Sequence, residues 1–512
     1  MARVALAWTA AFTSLVACGS QPPLGRKLVA PADVSQVKKA DSPYLKAHMR
    51  DGRLYVLSNW SVNDAGRVVA GRGRLLEIDR RQSRDGDFQI ALADVALFET
   101  NEPPSSPALA ALAVTTVGSV AGTVLCIANP KACFGSCPTF YVSDGERPVL
   151  AAEGFSDSVA PSLEATDVDA LYRAHPAGRA LEVRMTNEAL ETHVVDAVDV
   201  LAVPRPDGGR AFHAEDDGGF YGASSLATPT SCDAPEGSCA EDVRALDGRE
   251  WTSPADGHDL SAREELILTF PAAAPGPRGL VIAARETLLT TYLLYQTLAY
   301  LGTRAVAALS ALERDPSMGD ELKATYRRLG ALEVFVEEND GRWSRAGSVF
   351  ETGPIATDVH LVLLPPARDD KRPSRVRLVL TRGNWRLDWI ALAALGPRVE
   401  ATRLPPRTIT GLTDDRRRVT VRPGERIVTL PGDAYTFTYE LPESPQHFEL
   451  FLSSRGYYLE WMREFWLREE SAARAALMLT APGLALRLMA PAYKQQEAGM
   501  DRLFWESRYA HP

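Results

Sequence analysis

Short alternating runs of apolar and polar residues dominate this chain and predict a protein built mainly of β-strands. Turn sequences such as Asn339-Asp340-Gly341 separate these runs, because Asn, Asp and Gly tolerate the backbone angles of tight turns. The pattern predicts an α+β, β-rich multi-domain fold with β-sandwich-like modules. The clearest strand-like runs are at residues 54–57, 67–78, 90–98, 332–336, 360–364, 376–381 and 385–392.

A helical period replaces the alternation over residues 286–314. Leu288, Tyr292 and Tyr295 begin a series of apolar residues spaced three to four apart, which is the period of an α-helix. The apolar surface is too wide for one face, so we predict a long helix that is buried on more than one side. Near the C-terminus, a strand at 448–453 and an aromatic segment at 457–461 are expected, with a helix over 460–479.

The segment 105–128 contains no charged residue and is rich in Ala, Val, Gly and Thr. Its length suffices to cross a bilayer, and the four-residue spacing of Gly118 and Gly122 is typical of closely approaching helices. Its many small and hydroxylated residues make it only mildly hydrophobic, however. We therefore predict a helix that packs on the soluble body, and a membrane-embedded segment is the alternative.

The first eighteen residues have the layout of a secretory signal. Arg3 precedes an uncharged apolar run that ends in Leu15-Val16-Ala17-Cys18, with a small residue before the expected cleavage point. This ending resembles the lipobox of bacterial lipoproteins. The resemblance implies that residues 1–17 are removed and that Cys18 is acylated, with chains such as palmitate. It further implies a location in the cell envelope, anchored to the outer membrane or on the periplasmic face.

Charge narrows the range of partners. Lys and Arg total 56 against 66 Asp and Glu, which gives a formal net charge of −10, and no extended basic stripe occurs. We therefore expect no nucleic-acid partner. The acidic body has no electrostatic attraction to anionic lipid, so membrane attachment would depend on the N-terminal acyl chains. An envelope protein or a glycan is the other candidate partner.

The pattern divides the chain into six segments. Residues 330–400 are similar in pattern to galactose-binding-like jelly rolls, because an apolar strand and a turn lead into Trp385-Arg386-Leu387-Asp388. The predicted segments are a signal peptide at 1–17, a flexible tether at 18–42, a β-rich domain at 43–230 with the apolar helix at 105–128, a loop region and the long helix at 231–329, the β-sandwich-like segment at 330–400, and an α+β region at 401–512.

The cysteines indicate an oxidising compartment. With Cys18 committed to lipid, the remaining five are Cys126, Cys133, Cys137, Cys232 and Cys239. Paired thiols of exported proteins normally oxidise. Cys232 and Cys239 flank a short loop that contains Pro and Gly, so we predict a disulfide between them. A structural disulfide is also predicted for Cys133 and Cys137, with each other or with Cys126, and one of these three thiols then stays free or pairs with another molecule.

The sequence Cys133-Phe134-Gly135-Ser136-Cys137-Pro138 resembles the copper-binding motif of Sco-type copper-delivery proteins. The resemblance implies two thiolate ligands and a distant histidine, which suit copper. Here the motif leads into a predicted strand rather than a helix, and no histidine can be assigned as the third ligand. A disulfide or a pair of reduced, buried cysteines explains the same residues. We therefore assign no metal ligand and no cofactor.

Other groups of polar residues carry weak signals. Residues 187–193 gather Glu188, Glu191 and His193 without forming a His-Glu-x-x-His motif, and a solvated helix end or strand start is favoured. Residues 256–259 are interpreted as a plain turn. Residues 154–158 lack the second glycine of a nucleophile elbow. No catalytic residue is assigned.

These patterns predict a lipid-anchored cell-envelope protein with a structural or binding role, and they favour a protein that is not an enzyme. One alternative is a carbohydrate- or peptidoglycan-binding lipoprotein that uses Trp343, Trp385 or Trp389, although aromatic residues at strand ends are more often core residues. A second is a thiol or copper protein that uses Cys133 and Cys137. A third is a hydrolase whose site is assembled from residues distant in sequence.

Overall fold

A computed structural model describes residues 25–29, 31–37, 44–49, 53–63, 65, 67–76, 83–102, 137–189, 191–272, 274–305, 329–350, 353–367, 372–413, 418–460 and 464–507. Within these residues the α+β, β-rich multi-domain fold is confirmed, because strands arranged in several separate sheets far outnumber helices. The described residues fall into two compact units. The first unit takes those within 1–123, 299–306 and 464–482, and the second takes the others.

The strands are numbered in chain order. They are β1 (Gly25–Val29), β2 (Tyr44–Met49), β3 (Leu54–Asn63), β4 (Val68–Leu76), β5 (Ser83–Ala91), β6 (Val95–Glu102), β7 (Thr139–Ser143), β8 (Pro148–Glu153), β9 (Ala165–Ala170), β10 (Ala180–Thr186), β11 (Glu191–Pro204), β12 (Arg210–Ala214), β13 (Gly219–Ala227), β14 (Ser231–Ala234), β15 (Gly237–Ser238), β16 (Arg263–Phe270), β17 (Gly276–Glu286), β18 (Leu332–Glu337), β19 (Trp343–Val349), β20 (Asp358–Ala367), β21 (Ser374–Thr381), β22 (Trp385–Val399), β23 (Thr402–Leu404), β24 (Thr408–Leu412), β25 (Arg418–Val421), β26 (Ile427–Thr429), β27 (Ala434–Glu440) and β28 (Phe448–Glu460).

The first unit contains a six-stranded sheet in the order β1-β6-β2-β3-β4-β5. Burial alternates along β2, so Leu45, Ala47 and Met49 enter the core together with Trp60 and Phe98. β1 pairs with β6, and a 3-10 helix follows it at Pro31–Gln36. The flexible tether predicted at 18–42 is therefore wrong for residues 25–29 and 31–36. The strand at 25–29 was missed because its backbone pairing with β6 requires no periodic pattern of apolar side chains.

The second unit contains two open sheets that depend on long-range pairing. Their orders are β25-β24-β27-β10-β7-β8 and β23-β11-β28-β9, and β26 also pairs with β11. β10 pairs with β27 along its whole length, and β11 pairs with β28 from Glu191↔Glu460 to Pro204↔Phe448. Strands from the predicted segments 43–230 and 401–512 thus share sheets, so these segments are not separate domains.

A closed barrel and a further sheet complete the second unit. The barrel order is β12-β13-β22-β17-β20, and the sheet order is β15-β14-β16-β21-β18-β19. One core joins them, because Leu266 and Val376 of the sheet share a cluster with Leu280, Val362 and Leu387 of the barrel. The strands predicted within 330–400 are present, but they are divided between barrel and sheet. Their partners β16 and β17 lie in the segment 231–329, which we predicted as a loop region and a long helix without strands.

The predicted long helix is confirmed where the structure describes it. The helices are α1 (Leu288–Leu301), α2 (Glu464–Arg468), α3 (Ala472–Thr480) and α4 (Pro482–Ser507). The Thr287 hydroxyl accepts a hydrogen bond from the Leu289 N–H at 3.1 Å, which satisfies a donor at the start of α1. Leu289, Tyr295 and Leu298 are all buried, and together they lie on more than one face of the helix.

The helix predicted to begin at residue 460 begins later. Tyr457 and Tyr458 lie in β28, where they pair with Val194 and His193, and the first helical segment is α2. The aromatic segment extends the strand because aromatic side chains fit a pleated, half-buried surface.

The lipobox and the helix predicted at 105–128 lie outside the described residues. Among the helices that are described, no apolar stretch is long enough to cross a membrane.

Candidate metal centre

Two neighbouring barrel strands bring together a histidine and two carboxylates. β12 and β20 run parallel, with His213 opposite His360 in the register. Glu215 follows β12 directly, at the start of a turn closed by a 3.3 Å hydrogen bond from the Gly218 N–H to its carbonyl oxygen. Asp358 precedes His360 by two residues, so their side chains leave β20 on the same face.

The three side chains meet at the His360 ring. Its Nδ1 lies 2.7 Å from Glu215 Oε1 and 3.7 Å from Asp358 Oδ2. One ligand atom from each of the three residues falls within 4.8 Å of the others. The His360 side chain is 3% exposed, whereas that of Glu215 is 44% exposed. The arrangement is therefore anchored in the protein interior and open to solvent on one side.

One further carboxylate, that of Asp167, interacts electrostatically with this cluster. The Ala170 N–H donates to Asp358 Oδ1 at 3.2 Å, which fixes the carboxylate from the side of β9. Nearby, Asp167 is half-buried, and its carboxylate accepts hydrogen bonds from the backbone N–H groups of Phe155 and Val168. Burial and then the charge of Asp358 raise the pKa of Asp167 to about 8. A divalent cation among these carboxylates would favour their ionised forms.

The donor set suits a first-row transition metal ion. Imidazole nitrogen is a common ligand of zinc, iron and nickel, and carboxylate oxygen also binds such ions. His213, on the neighbouring strand, has its pKa lowered by burial, although Glu215 and Asp358 act in the opposite direction. Its ring is therefore mainly neutral near pH 7, which is the form that binds metals.

No pattern in the sequence alone points to these residues. Glu215 and His360 are separated by 145 positions, so no short motif contains both. The available signal was the spacing within each strand, His213-Ala214-Glu215 and Asp358-Val359-His360, in which a histidine and a carboxylate stand two residues apart. That spacing points to a site only when the pairing of the two strands is known.

The polar group at residues 187–193 is a buried structural network. β11 begins at Glu191, so the predicted strand start is confirmed, but the expectation of a solvated segment is wrong. Glu188 is 2% exposed and His193 is fully buried. Glu188 accepts hydrogen bonds from the Tyr141 hydroxyl at 2.8 Å and from Thr186 at 2.6 Å. These residues lie where β7, β10 and β11 meet, and they hold that junction together.

The cysteines have different outcomes. Cys232 and Cys239 form the predicted disulfide, and both are fully buried. Cys137 carries a free thiol that donates to the Ser156 carbonyl oxygen at 3.8 Å, so it does not take part in the predicted bridge with Cys133. Burial raises the pKa of Cys137 well above its usual value. Cys18, Cys126 and Cys133 lie outside the described residues.

The tryptophans considered for glycan binding make contacts within the protein. Trp385 and Trp389 are core residues, 1% and 8% exposed. Trp343 lies on β19, where Arg375 and Arg377 place their guanidinium groups 5.6 Å and 5.0 Å from the ring centre. These rings therefore serve packing and cation–π contacts within the barrel and the neighbouring sheet.

The turn predicted at residues 256–259 is present. Asp256 Oδ1 accepts hydrogen bonds from the N–H groups of His258 and Asp259 at 2.8 Å and 2.9 Å, which is the pattern of an Asx turn.

In comparisons with known proteins, no family profile and no curated protein matched the chain. The evidence for function is therefore the geometry of the chain itself.

Proposed function

We propose that this chain is a lipid-anchored protein of the cell envelope and that it binds a divalent metal ion through Glu215, Asp358 and His360. The observation that carries the metal-binding part is the approach of one donor atom from each residue to within 4.8 Å. Two of the three side chains are almost fully buried. A cation there would neutralise carboxylates that are otherwise costly to bury.

Two observations support the cell-envelope location. The run Leu15-Val16-Ala17-Cys18 matches the lipobox pattern, which implies acylation of Cys18 and the membrane as a partner. The disulfide between Cys232 and Cys239 fits a compartment outside the reducing cytosol. Attachment would follow from the acyl chains, because the formal net charge of −10 gives no attraction to anionic lipid.

Metal binding is tested by titrating the purified chain with Zn²⁺ and following the heat of binding. We expect one ion to bind each molecule and the affinity to fall by at least about tenfold in Glu215→Gln and in His360→Gln, since loss even of a supporting residue commonly costs that much. His258→Ala removes an exposed imidazole and is the control. Wild-type protein that takes up no Zn²⁺, or variants that bind as tightly as wild type while still folded, would reject the proposal.

Lipidation is tested with a Cys18→Ser variant. We expect the wild-type chain to incorporate labelled palmitate and to sediment with membranes, and the variant to lose both properties, because the lipid is attached through the Cys18 sulfur. A variant that stays with the membrane after a carbonate wash would contradict the lipid anchor and would make segment 105–128 the better candidate for the attachment.

The alternative functions have weaker support. A carbohydrate-binding role would need exposed aromatic rings, but Trp385 and Trp389 belong to the core, and arginine side chains cover Trp343. A copper or thiol role would need a thiolate, but burial keeps the Cys137 sulfur protonated at neutral pH. An envelope protein is the other proposed partner, since binding it requires neither exposed aromatic rings nor a thiolate.

A further inference from the structure

We infer that His213 is a fourth ligand of the candidate metal centre, and that the completed site prefers a zinc-class transition metal ion to calcium or magnesium. This inference rests on the proposed function, because it names a further residue and the metal class of the same site. It follows from the strand register, the surroundings of the His213 ring and the chemistry of the four donor groups.

The register places both imidazoles on one face of the barrel wall. His213 and His360 are opposite each other in the parallel pair β12 and β20. Their chain neighbours Phe212, Ala214 and Val359 lie in a core cluster shared with other barrel strands. Because side chains alternate along a strand, His213 and His360 both project from the face opposite that cluster, which is the face where the Glu215 and Asp358 carboxylates lie.

The present contacts of the His213 ring leave its nitrogens available. Its ring centre lies 4.9 Å from that of Phe220, and the side chain is half-buried. Among the residues that the structure describes, none makes a hydrogen bond with the ring. His360, by contrast, is held by Glu215 and Asp358 at its Nδ1. The ring nitrogens of His213 lie outside the group of ligand atoms that fall within 4.8 Å of one another, so ligation requires the side chain to rotate towards the cluster.

The completed donor set matches one metal class. Two imidazole nitrogens and two carboxylate oxygens provide the four ligands that Zn²⁺ adopts in proteins. Calcium requires six to eight oxygen ligands, and magnesium keeps octahedral oxygen coordination with several waters. Two nitrogen donors therefore favour zinc-class ions, whereas the carboxylates alone would not distinguish these ions from calcium.

The experiment compares Zn²⁺ and Ca²⁺ binding to the full chain and to His213→Gln and His213→Ala. We expect each variant to lose at least about tenfold in Zn²⁺ affinity and to change little in Ca²⁺ affinity. The exposed control His258→Ala should change neither. Unfolding curves without metal establish that each variant is folded. If both His213 variants fail to fold, the imidazole NMR signals of wild-type protein decide: Zn²⁺ should shift those of two histidines.

The outcomes separate the inference from the proposed function. Wild-type protein that binds Zn²⁺ while folded His213→Gln binds it equally well would overturn the fourth ligand and leave the metal site standing. Tighter binding of Ca²⁺ than of Zn²⁺ by the wild-type chain would overturn the metal class. A shift of a single histidine signal would overturn the role of His213. Absence of any metal binding would overturn the proposed function itself.

Discussion

Glu286 shows how one buried acid links stability to pH. The carboxyl group lies at the end of β17, 1% exposed, and accepts a hydrogen bond from Asn384 Nδ2 at 2.9 Å. Burial raises its pKa to about 8, against hydrogen bonds from Thr290 and Asn384 that lower it. Since the folded-state pKa exceeds the unfolded-state pKa, the stabilisation is complete at low pH and is lost as the pH rises toward 8.

Glu286→Gln should therefore make the free energy of unfolding less dependent on pH. Glutamine keeps the shape and cannot ionise, so the slope should decrease by up to about 1.4 kcal/mol per pH unit between about pH 5 and pH 8. Urea unfolding at a series of pH values measures the slope. Glu146→Gln, at an exposed position, is the control. Parallel profiles for wild type and Glu286→Gln would show that this carboxyl is ionised throughout the range.

At the residue scale, the sequence predicts those features whose chemistry is local. Cys232 and Cys239 are separated by seven positions, and the loop between them contains the residues that a turn requires. Glu215 and His360 are 145 positions apart, and only strand pairing brings them together. The fate of Cys137 was also unpredictable, because its burial beside Ser156 depends on contacts that a local motif does not encode.

At the scale of elements, the pair β11 and β28 leaves no room for a side chain at Gly456. A Cβ atom built there would lie 2.3 Å from the Val194 carbonyl oxygen and 2.9 Å from Phe155 Cζ. The first of these neighbours is backbone of the opposing strand, which cannot move without disturbing the pairing. Glycine is therefore required by the close approach of the two strands.

Gly456→Ala should lower the free energy of unfolding of the second unit by roughly 1–3 kcal/mol, the usual range for overpacking. Gly257→Ala is the matched control, because its added Cβ would meet only Lys494 Cγ at 3.9 Å, and it should change stability by less than about 0.5 kcal/mol. Chemical denaturation of both variants measures the difference. Equal stability of the two would indicate that β28 can shift away from β11.

Some strands could be predicted from the sequence, and others could not. The strands at 376–381 and 385–392 were predicted from their apolar runs, and they correspond to β21 and the first part of β22. β16 also alternates in burial along Arg263–Phe270, but it lies in the segment 231–329, which we predicted as a loop region and a long helix. β1 could not be predicted, because its pairing with β6 is a backbone interaction that leaves no period in the side chains.

At the scale of the whole molecule, the observed sheets combine strands from different predicted segments, so the fold does not follow the division of the chain that the sequence predicts. The strands of residues 330–400 are shared between the barrel and the neighbouring sheet, and the strands of 401–460 complete sheets that begin near residue 139. Hydrophobic pattern predicts which residues are buried, but it does not state which strand lies beside which. The candidate metal centre depends on that missing information, so it emerged only from the structure.

The pairing of β11 with β28 also has a consequence for biogenesis. The ribosome completes β11 at Pro204, yet its partner begins at Phe448, and at roughly 5–20 residues per second this interval lasts on the order of ten seconds or more. During that time an apolar fourteen-residue strand has exposed edges that can template aggregation. Production of this protein should therefore depend on holdase chaperones that shield the growing chain until its last strand arrives.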